Sequence, residues 1–402
     1  MKKLLLLGGS AYIVPVIKKA KELGIFTITC DYLPDNTAHK YSDRYVNVSV
    51  IDKERVLEIS KELQIDGIMS FACDPGVVTA AYVAEKMNLP FQGSYESVKI
   101  LQNKGLFRKF LIDNGFNCPH AKSYSDINAP YKDIDYFNWP VIVKPCDSAG
   151  SKGVKKADNP EDLNDAILYA LENSISKTFI IEDFITRKGF HSTSDIFTID
   201  GQIKFVTYSD EYEDPKSDNP FVPSRDVYPT TMDIENQNNL TSELQRLMKL
   251  LNMKDGIYNV DACVGINNIP YIMELSPRGG GAKVAEIQDM AYGVDLIKRE
   301  IQKAVGLPID DFDDYECNGV WTLMNIHLKS HEGGILKEIY IDPIIKEKHI
   351  RLIDIFVKQG DYIHPYTGEN MSLGDIFLRF DTREELEKTV ALEDEWLKVV
   401  LE

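Results

Sequence analysis

Closely spaced cysteines are absent from this 402-residue chain. Its six cysteines, at 30, 73, 118, 146, 263 and 317, never come within 28 positions of one another. Without a CxxC there is no frame for a zinc ribbon or a thioredoxin-like redox pair. Isolated cysteines among apolar neighbours read as reduced core residues. Positive charge is also scarce, 45 Lys and Arg against 63 Asp and Glu, for a net of −18. That balance speaks against a nucleic-acid partner, which needs a basic surface to displace counterions from phosphate. A local nest of donors can still hold a small anion. No uncharged apolar run reaches about 18 residues, so no membrane span is expected. The Leu4–Leu7 run after Met1-Lys2-Lys3 is too short for a secretory core. Repeats and low-complexity tracts are missing too. What remains is the expectation of a cytoplasmic globular protein of about two to four domains.

The first 95 residues alternate strand and helix signals. Leu4–Leu7, Ile25–Cys30 and Gly67–Phe71 are short, apolar or β-branched runs. Between and after them, Ile13, Val16, Ile17, Ala20 and Leu23, then Val56, Ile59 and Leu63, then Val77–Met87 follow helical spacing. This rhythm predicts a doubly wound parallel sheet over residues 1–95. The Gly8-Gly9-Ser10 turn lacks GxGxxG spacing, so it reads as a strand-to-helix turn rather than a dinucleotide site.

From residue 96 the texture changes. The strand Trp139–Pro145 runs into a Gly/Ser loop, Cys146–Gly153, and a helix follows with Asn159 as cap and Pro160 in its first turn. Thr178–Ile185, Ser194–Ile199 and Ile203–Thr207 read as antiparallel strands, with Asp200-Gly201 a hairpin turn. Residues 209–230, with Pro215, Pro220, Pro223 and Pro229 and many acidic groups, read as a long irregular loop. Gly256–Gly265 and Ile269–Leu275 form a second hairpin.

Asp261 and Glu274 sit on these last two strands among mostly apolar neighbours. Two carboxylates on adjacent strands repel unless a cation lies between them, and hard oxygen ligands suit Mg²⁺. Directly after them, Gly279-Gly280-Gly281 precede a helix, which would present free N–H groups to an anion. Lys144 ends a buried strand, where an ammonium is costly unless it meets an anion.

Taken together, Lys104, Val141-Ile142-Val143-Lys144-Pro145, Phe179-Ile180-Ile181-Glu182-Asp183-Phe184-Ile185 and Asp261…Glu274-x-Ser276-x-Arg278 occur in the order that resembles the ATP-grasp superfamily. The likeness is closest to its carbamoyl-phosphate-synthetase-like carboxylate–amine ligases, and it covers essentially the whole chain. The resemblance implies an α/β (α+β overall) chain of three parts. These are an N-terminal domain (1–95), an ATP-grasp domain (96–306) of two α+β subdomains with a lid-like piece at about 120–183, and a small mostly-β domain (307–402).

It further implies ATP bound by Lys104 and Lys144, with Ser148, Gly150, Ser151 and Gly153 in a loop folding over the phosphates. Glu182, Asp183 and Ile185 would line the adenine. Asp261, Glu274 and Ser276, the last where relatives carry Asn, would hold Mg²⁺, with Mn²⁺ as a substitute. His191 stands where relatives place a ribose-binding Glu; it either takes that role or lies in an exposed loop. Arg278 and Lys144 would be catalytic at the transferring phosphoryl group. For the acceptor, Asp74 and Arg278 are candidates, and Arg225 either clamps a substrate carboxylate or is an ordinary loop arginine. The implied reaction joins a small-molecule carboxylate to an amine through an acylphosphate, releasing ADP, with no nucleic-acid or membrane partner and room for a homodimer. A kinase or bicarbonate-dependent carboxylase, and a nucleotide-binding regulator without catalysis, remain as alternatives.

Overall fold

The computed structural model describes residues 1–214 and 219–402. The short apolar runs of the first part become β1 (Lys3–Leu7), β2 (Phe26–Asp31), β3 (Arg44–Asn47) and β4 (Gly67–Ser70). They pair in parallel in the order β3-β2-β1-β4. Helices α1 (Val14–Glu22), α2 (Lys53–Leu63) and α3 (Asp74–Met87) connect and follow them. Leu4 and Leu6 of β1 cluster with Val16, Ile17 and Ala20 of α1, whereas Leu5 and Leu7 cluster with Val56 and Ile59 of α2. The sheet is thus covered on both faces, which is why β1 reads as an unbroken apolar run. The edge strand β3 escaped the sequence reading because none of its four residues is fully buried.

Helices α4 (Tyr95–Gln102) and α5 (Lys104–Asp113) lead into a second, antiparallel sheet. It contains β5 (Ala121–Tyr124), β6 (Val141–Pro145), β7 (Lys155–Ala157) and β8 (Phe179–Asp183) in the order β5-β8-β6-β7. Val141, Val143, Phe179 and Ile181 pack on Leu163, Ala166, Ile167 and Ala170 of α6 (Leu163–Glu172). Alternation along a strand then sends Ile142, Lys144 and Glu182 to the opposite face.

The remaining strands are β9 (Arg187–Ile199), β10 (Gln202–Phe205), β11 (Asp210–Glu213), β12 (Pro223–Tyr228), β13 (Gly256–Gly265), β14 (Pro270–Ser276), β15 (Val320–Ile326), β16 (Gly334–Ile341), β17 (Ile350–Ile355), β18 (Tyr362–Ile363), β19 (Gly374–Phe380) and β20 (Leu397–Leu401). Among the described residues, nine of them form one sheet in the order β14-β13-β9-β11-β12-β15-β19-β17, with β10 beside β9. This sheet continues across residue 306, so three of its strands come from the last hundred residues. Strands β18, β16 and β20 make a small sheet of their own. Helix α7 (Ile234–Leu250) covers one face of the large sheet, its Leu240, Leu244 and Leu247 clustering with Tyr258, Val260 and Ala262 of β13. The alternate residues Asn259, Asp261 and Cys263 therefore face the other way.

Two regions differ from the sequence reading. Residues 209–230 are not a single loop, because β11 and β12 pair antiparallel with Glu211 opposite Asp226 and Tyr212 opposite Arg225. The prolines stand at the margins: Pro220 and Pro229 flank β12 and Pro223 begins it, while Pro215 lies outside the described residues. β9 also begins earlier than its apolar half, at Arg187, since the polar residues His191, Ser192 and Thr193 pair with β13. Asp200 and Gly201 do form the hairpin turn, with φ of 52° and 67°, the left-handed pair that a two-residue turn needs.

Candidate active site

The polar faces of the two antiparallel sheets oppose each other across a cavity of about 270 Å³. Its floor follows from register alone. Glu274 lies opposite Asp261, and Asp261 opposite Thr193. One row along, His191 lies opposite Glu211, and Glu211 opposite Asp226. All six side chains share one face of the sheet, and all six residues border the cavity. Ile142, Lys144 and Glu182 border it from the smaller sheet.

Burial and the facing Glu274 push the Asp261 carboxyl up to about 7. The Lys104 ammonium, at the first residue of α5, lies 3.2 Å from Glu274 Oε2 and donates to the Ser148 carbonyl at 2.7 Å. Burial opposes the charge on Lys104, but Glu274 outweighs it and raises the pKa above the ordinary lysine value. Lys144 goes the other way. Burial holds it below that value, although its Nζ is 2.8 Å from Glu182 Oε2.

Glu182 is fully buried, and its second oxygen meets Arg108 Nε at 2.8 Å. Burial would raise its pKa, yet Arg108 and Lys144 together depress it. The Glu182 side chain is therefore committed to two cations rather than left for a ligand. Arg108 itself was missed. The available signal was its spacing, one helical turn after Lys104, in a stretch where Phe107 and Leu111 are buried.

Gly150, Ser151 and Gly153 all take left-handed φ, at 64°, 58° and 76°. The loop is pinned at Ser151, whose Oγ donates to the Phe221 carbonyl at 2.8 Å and whose carbonyl accepts from Asn219 at 3.1 Å. Ser148, Gly150 and Ser151 border the cavity, as do Asp183, Ile185 and His191. The Asp183 carboxylate points elsewhere, accepting from the Asn138 N–H and side-chain amide at 2.8 and 2.7 Å. His191 is half-buried on strand β9, not in an exposed loop. Burial, with Arg187 and Lys144 nearby, lowers its pKa to about 3, so the ring is neutral.

Several sequence expectations are corrected. Gly153 does not border the cavity; a Cβ there would meet Asn173 and Pro145 at 2.7 and 2.8 Å, so its glycine serves packing. Ser276 is fully buried away from the cavity. Its hydroxyl donates to Asp74 Oδ1 at 3.1 Å and accepts from Gln102 at 2.6 Å, which removes it from any metal shell with Asp261 and Glu274. Asp74 is likewise set back, at the start of α3. Both its oxygens are held by Arg278, Nε at 2.8 Å and Nη2 at 2.7 Å, so it orients Arg278 rather than meeting a substrate. Arg278 does border the cavity. Arg225 lies on strand β12 rather than in a loop; it borders the cavity, with its guanidinium 4.0 Å over the Tyr212 ring. In the Gly279–Gly281 turn, Gly281 borders the cavity, whereas its two predecessors do not. The Gly280 N–H is taken by Asp195 at 2.9 Å, and Gly279 lies against the Phe71 ring.

Asp195 yields a pH prediction. Burial pushes its carboxyl from 3.8 to about 7, against the bonds from Gly280 and Asn259. The folded chain keeps this proton where the unfolded chain has released it. The stabilisation is complete below about pH 4 and is lost as pH rises through about 7. Asp195→Asn is therefore expected to flatten the fall in melting temperature between about pH 6 and pH 8. A fall as steep as in the parent would exclude Asp195 as its source.

Asp261 and Glu274 fit a Mg²⁺ ion by their chemistry, two half-buried carboxylates opposed in register on one face of the sheet. Among the described residues no three His, Cys, Asp or Glu side chains close on one metal position. Phosphate and water would have to complete the shell, as is usual for Mg²⁺. No helix of the described residues is long and apolar enough to cross a membrane.

Comparison with known proteins bears on this geometry. The model of the ATP-grasp domain family matches residues 137–286. The carbamoyl phosphate synthase large chain of Caldanaerobacter subterraneus subsp. tengcongensis is 24% identical over 340 residues, which is 81% of this chain and 30% of that protein. This chain thus spans less than a third of that relative's length. Among solved structures, L-amino acid ligase from Bacillus licheniformis superposes with a TM-score of 0.82 at 20% identity, covering 100% of this chain and 99% of that one. Phosphoribosylglycinamide synthetase from Anaerococcus prevotii superposes at 0.76 and 21% identity, covering 100% of both. Residues 137–286 thus match the ATP-grasp domain family, and the chain shares the fold of these solved structures from end to end.

Proposed function

We propose that the chain is an ATP- and Mg²⁺-dependent ligase that activates a carboxylate as an acylphosphate and joins it to an amine, releasing ADP and phosphate. The observation that carries this reading is the Asp261–Glu274 pair, facing the cavity between Lys104 and Lys144. The names of the similar proteins support it. Lys104 and Lys144 bind polyphosphate, exchanging Glu274 and Glu182 for phosphate oxygens. Ser148, Gly150 and Ser151 close over it, and backbone groups of Asp183 and Ile185, with His191, border the nucleoside. Asp261 and Glu274 hold Mg²⁺, or Mn²⁺ in its place, and the ion supplies charge neutralisation at the phosphates.

A substrate carboxylate oxygen attacks the γ-phosphorus and ADP leaves. The amine nitrogen then attacks the acyl carbon, phosphate leaves, and the nitrogen gives up a proton. Such chemistry asks the protein for alignment and for positive charge at the moving phosphoryl group. Arg278, fixed by Asp74, supplies that charge. The reading also places the protein in the cytoplasm, consistent with six cysteines that are all free.

The test is phosphate and ADP release with Mg²⁺-ATP over a panel crossing carboxylates with amines. ADP and phosphate in equal amounts, dependent on both partners, is the expected result. Turnover driven by bicarbonate alone would point to a carboxylase, and nucleotide binding without turnover across the panel would point to a regulator.

A further inference from the structure

The base and the tip of the Gly/Ser loop are held by different parts of the molecule. At its base, Asp147 stays with the smaller sheet, its carboxylate accepting from the Ser174 hydroxyl at 2.8 Å and the Ser176 N–H at 2.6 Å. At its tip, the Ser151 hydroxyl donates to the carbonyl of Phe221, just ahead of β12 in the large sheet. The Ser151 carbonyl accepts from the Asn219 side-chain amide at 3.1 Å, and that same Nδ2 reaches the Thr367 carbonyl at 3.3 Å. An amide NH₂ has two protons to give, so Asn219 holds both carbonyls at once.

Asn219 is itself fixed. It is 6% exposed, its Oδ1 accepts from the Phe221 N–H at 3.1 Å, and its carbonyl accepts from the Val222 N–H at 3.2 Å. The C-terminal side is anchored as well. Tyr366 is buried, its hydroxyl donating to the Pro223 carbonyl at 2.6 Å and accepting from Asn325 at 3.0 Å, with His327 stacked on its ring. From there the chain runs against the loop. A Cβ on Gly368 would meet the Gly150 carbonyl and Lys152 Cγ, each at 3.6 Å, and one on Gly150 would meet Glu369 Oε2 at 3.6 Å.

The loop forms part of the wall of a cavity of about 270 Å³. Small-molecule sites run from roughly 300 to 1,000 Å³, so the cavity is nearly shut as it stands, and an occupant of nucleotide size enters and leaves by movement of its wall. Swinging the tip outward breaks the Ser151 bonds to Asn219 and Phe221, whereas the Asp147 bonds at the base survive.

We infer that Asn219 is a positioning residue for the nucleotide: it fastens the tip of the phosphate-covering loop to the Thr367 carbonyl, so that the C-terminal segment 366–369 sets how long a bound nucleotide is retained. The inference rests on the reading of the cavity as an ATP site.

Asn219→Asp keeps the shape and the acceptor for the Phe221 N–H, and removes both donors. Release of a fluorescent ATP analogue from the full chain with Mg²⁺ is followed by stopped flow, with excess ADP as the chase. Release is expected to be at least about tenfold faster in the variant, the size of two neutral hydrogen bonds lost, while association changes by less than about twofold. Trypsin without nucleotide gives a second readout. Cleavage after Lys152, timed by mass spectrometry, is expected to accelerate at least about tenfold. Cleavage after the exposed Lys177, ahead of β8 on the smaller sheet, is expected to keep its rate. Unchanged release of the analogue overturns the inference. So does equal acceleration at Lys152 and Lys177, which would make Asn219 a general support of the fold. If the parent bound no nucleotide, the ATP reading would fail, and cleavage after Lys152 would decide by itself whether Asn219 fastens the loop.

Discussion

Asp261→Asn is expected to lower kcat by about 10³-fold without costing the fold any stability. The kinetic size follows from what one well-placed electrostatic group contributes at a transferring phosphoryl group. The neutral or favourable stability effect follows from the site itself. The Asp261 carboxylate is half-buried opposite Glu274 and faces Glu369 as well, and burial with this repulsion lifts its pKa to about 7. Its folded pKa lies above the unfolded one, so ionising it costs stability as pH rises past that value. Asparagine keeps the shape and removes the charge. Steady-state ADP release beside a melting curve at about pH 8 makes the check, with Mg²⁺ titrated in both. If turnover survived with an unaltered Mg²⁺ requirement, the metal assignment would be wrong.

Arg108→Ala should produce the largest loss of stability, about 3–5 kcal/mol. Its guanidinium is 1% exposed and sits 2.8 Å from a fully buried glutamate. Truncation would leave Glu182 with Lys144 alone, at a site no water reaches to make up the difference. Arg108→Lys, which keeps the charge but not the planar fork, should recover a good part of the loss. The shift in denaturant midpoint measures it, and a shift below about 1 kcal/mol would mean that Glu182 is neutral in the fold. The effect on catalysis is indirect, since Lys144 would be drawn more firmly to Glu182 and away from phosphate.

Much of this was written in the local pattern. The parallel sheet followed from apolar runs closed by glycine, because strands buried on both faces have no polar positions to confuse the period. The carboxylate pair was legible because a hairpin converts a sequence interval into a cross-strand neighbour. What was not legible depends on partners remote in sequence. Ser276 looked like a ligand by position, yet its hydroxyl is claimed by Gln102 and Asp74, some 170 and 200 residues away. Arg225 read as a loop residue, and only its pairing with β11 and β15 places it on a strand that borders the cavity. Arg108, Asn219 and Glu369 carry no motif. Each matters through the partners it meets across the fold, and only the three-dimensional arrangement brings those together.

The bidentate contact from Arg278 to Asp74 has a mechanical side. Asp74 opens α3 on the N-terminal sheet, and Arg278 borders the cavity on the large sheet. A rigid two-point strut therefore joins the body that would receive the acceptor to the group that would steady the departing phosphate. Any rocking of the N-terminal body is transmitted to Arg278 as a displacement. In such a linkage, changes far from the nucleotide that tilt α3 would register in kcat rather than in nucleotide affinity.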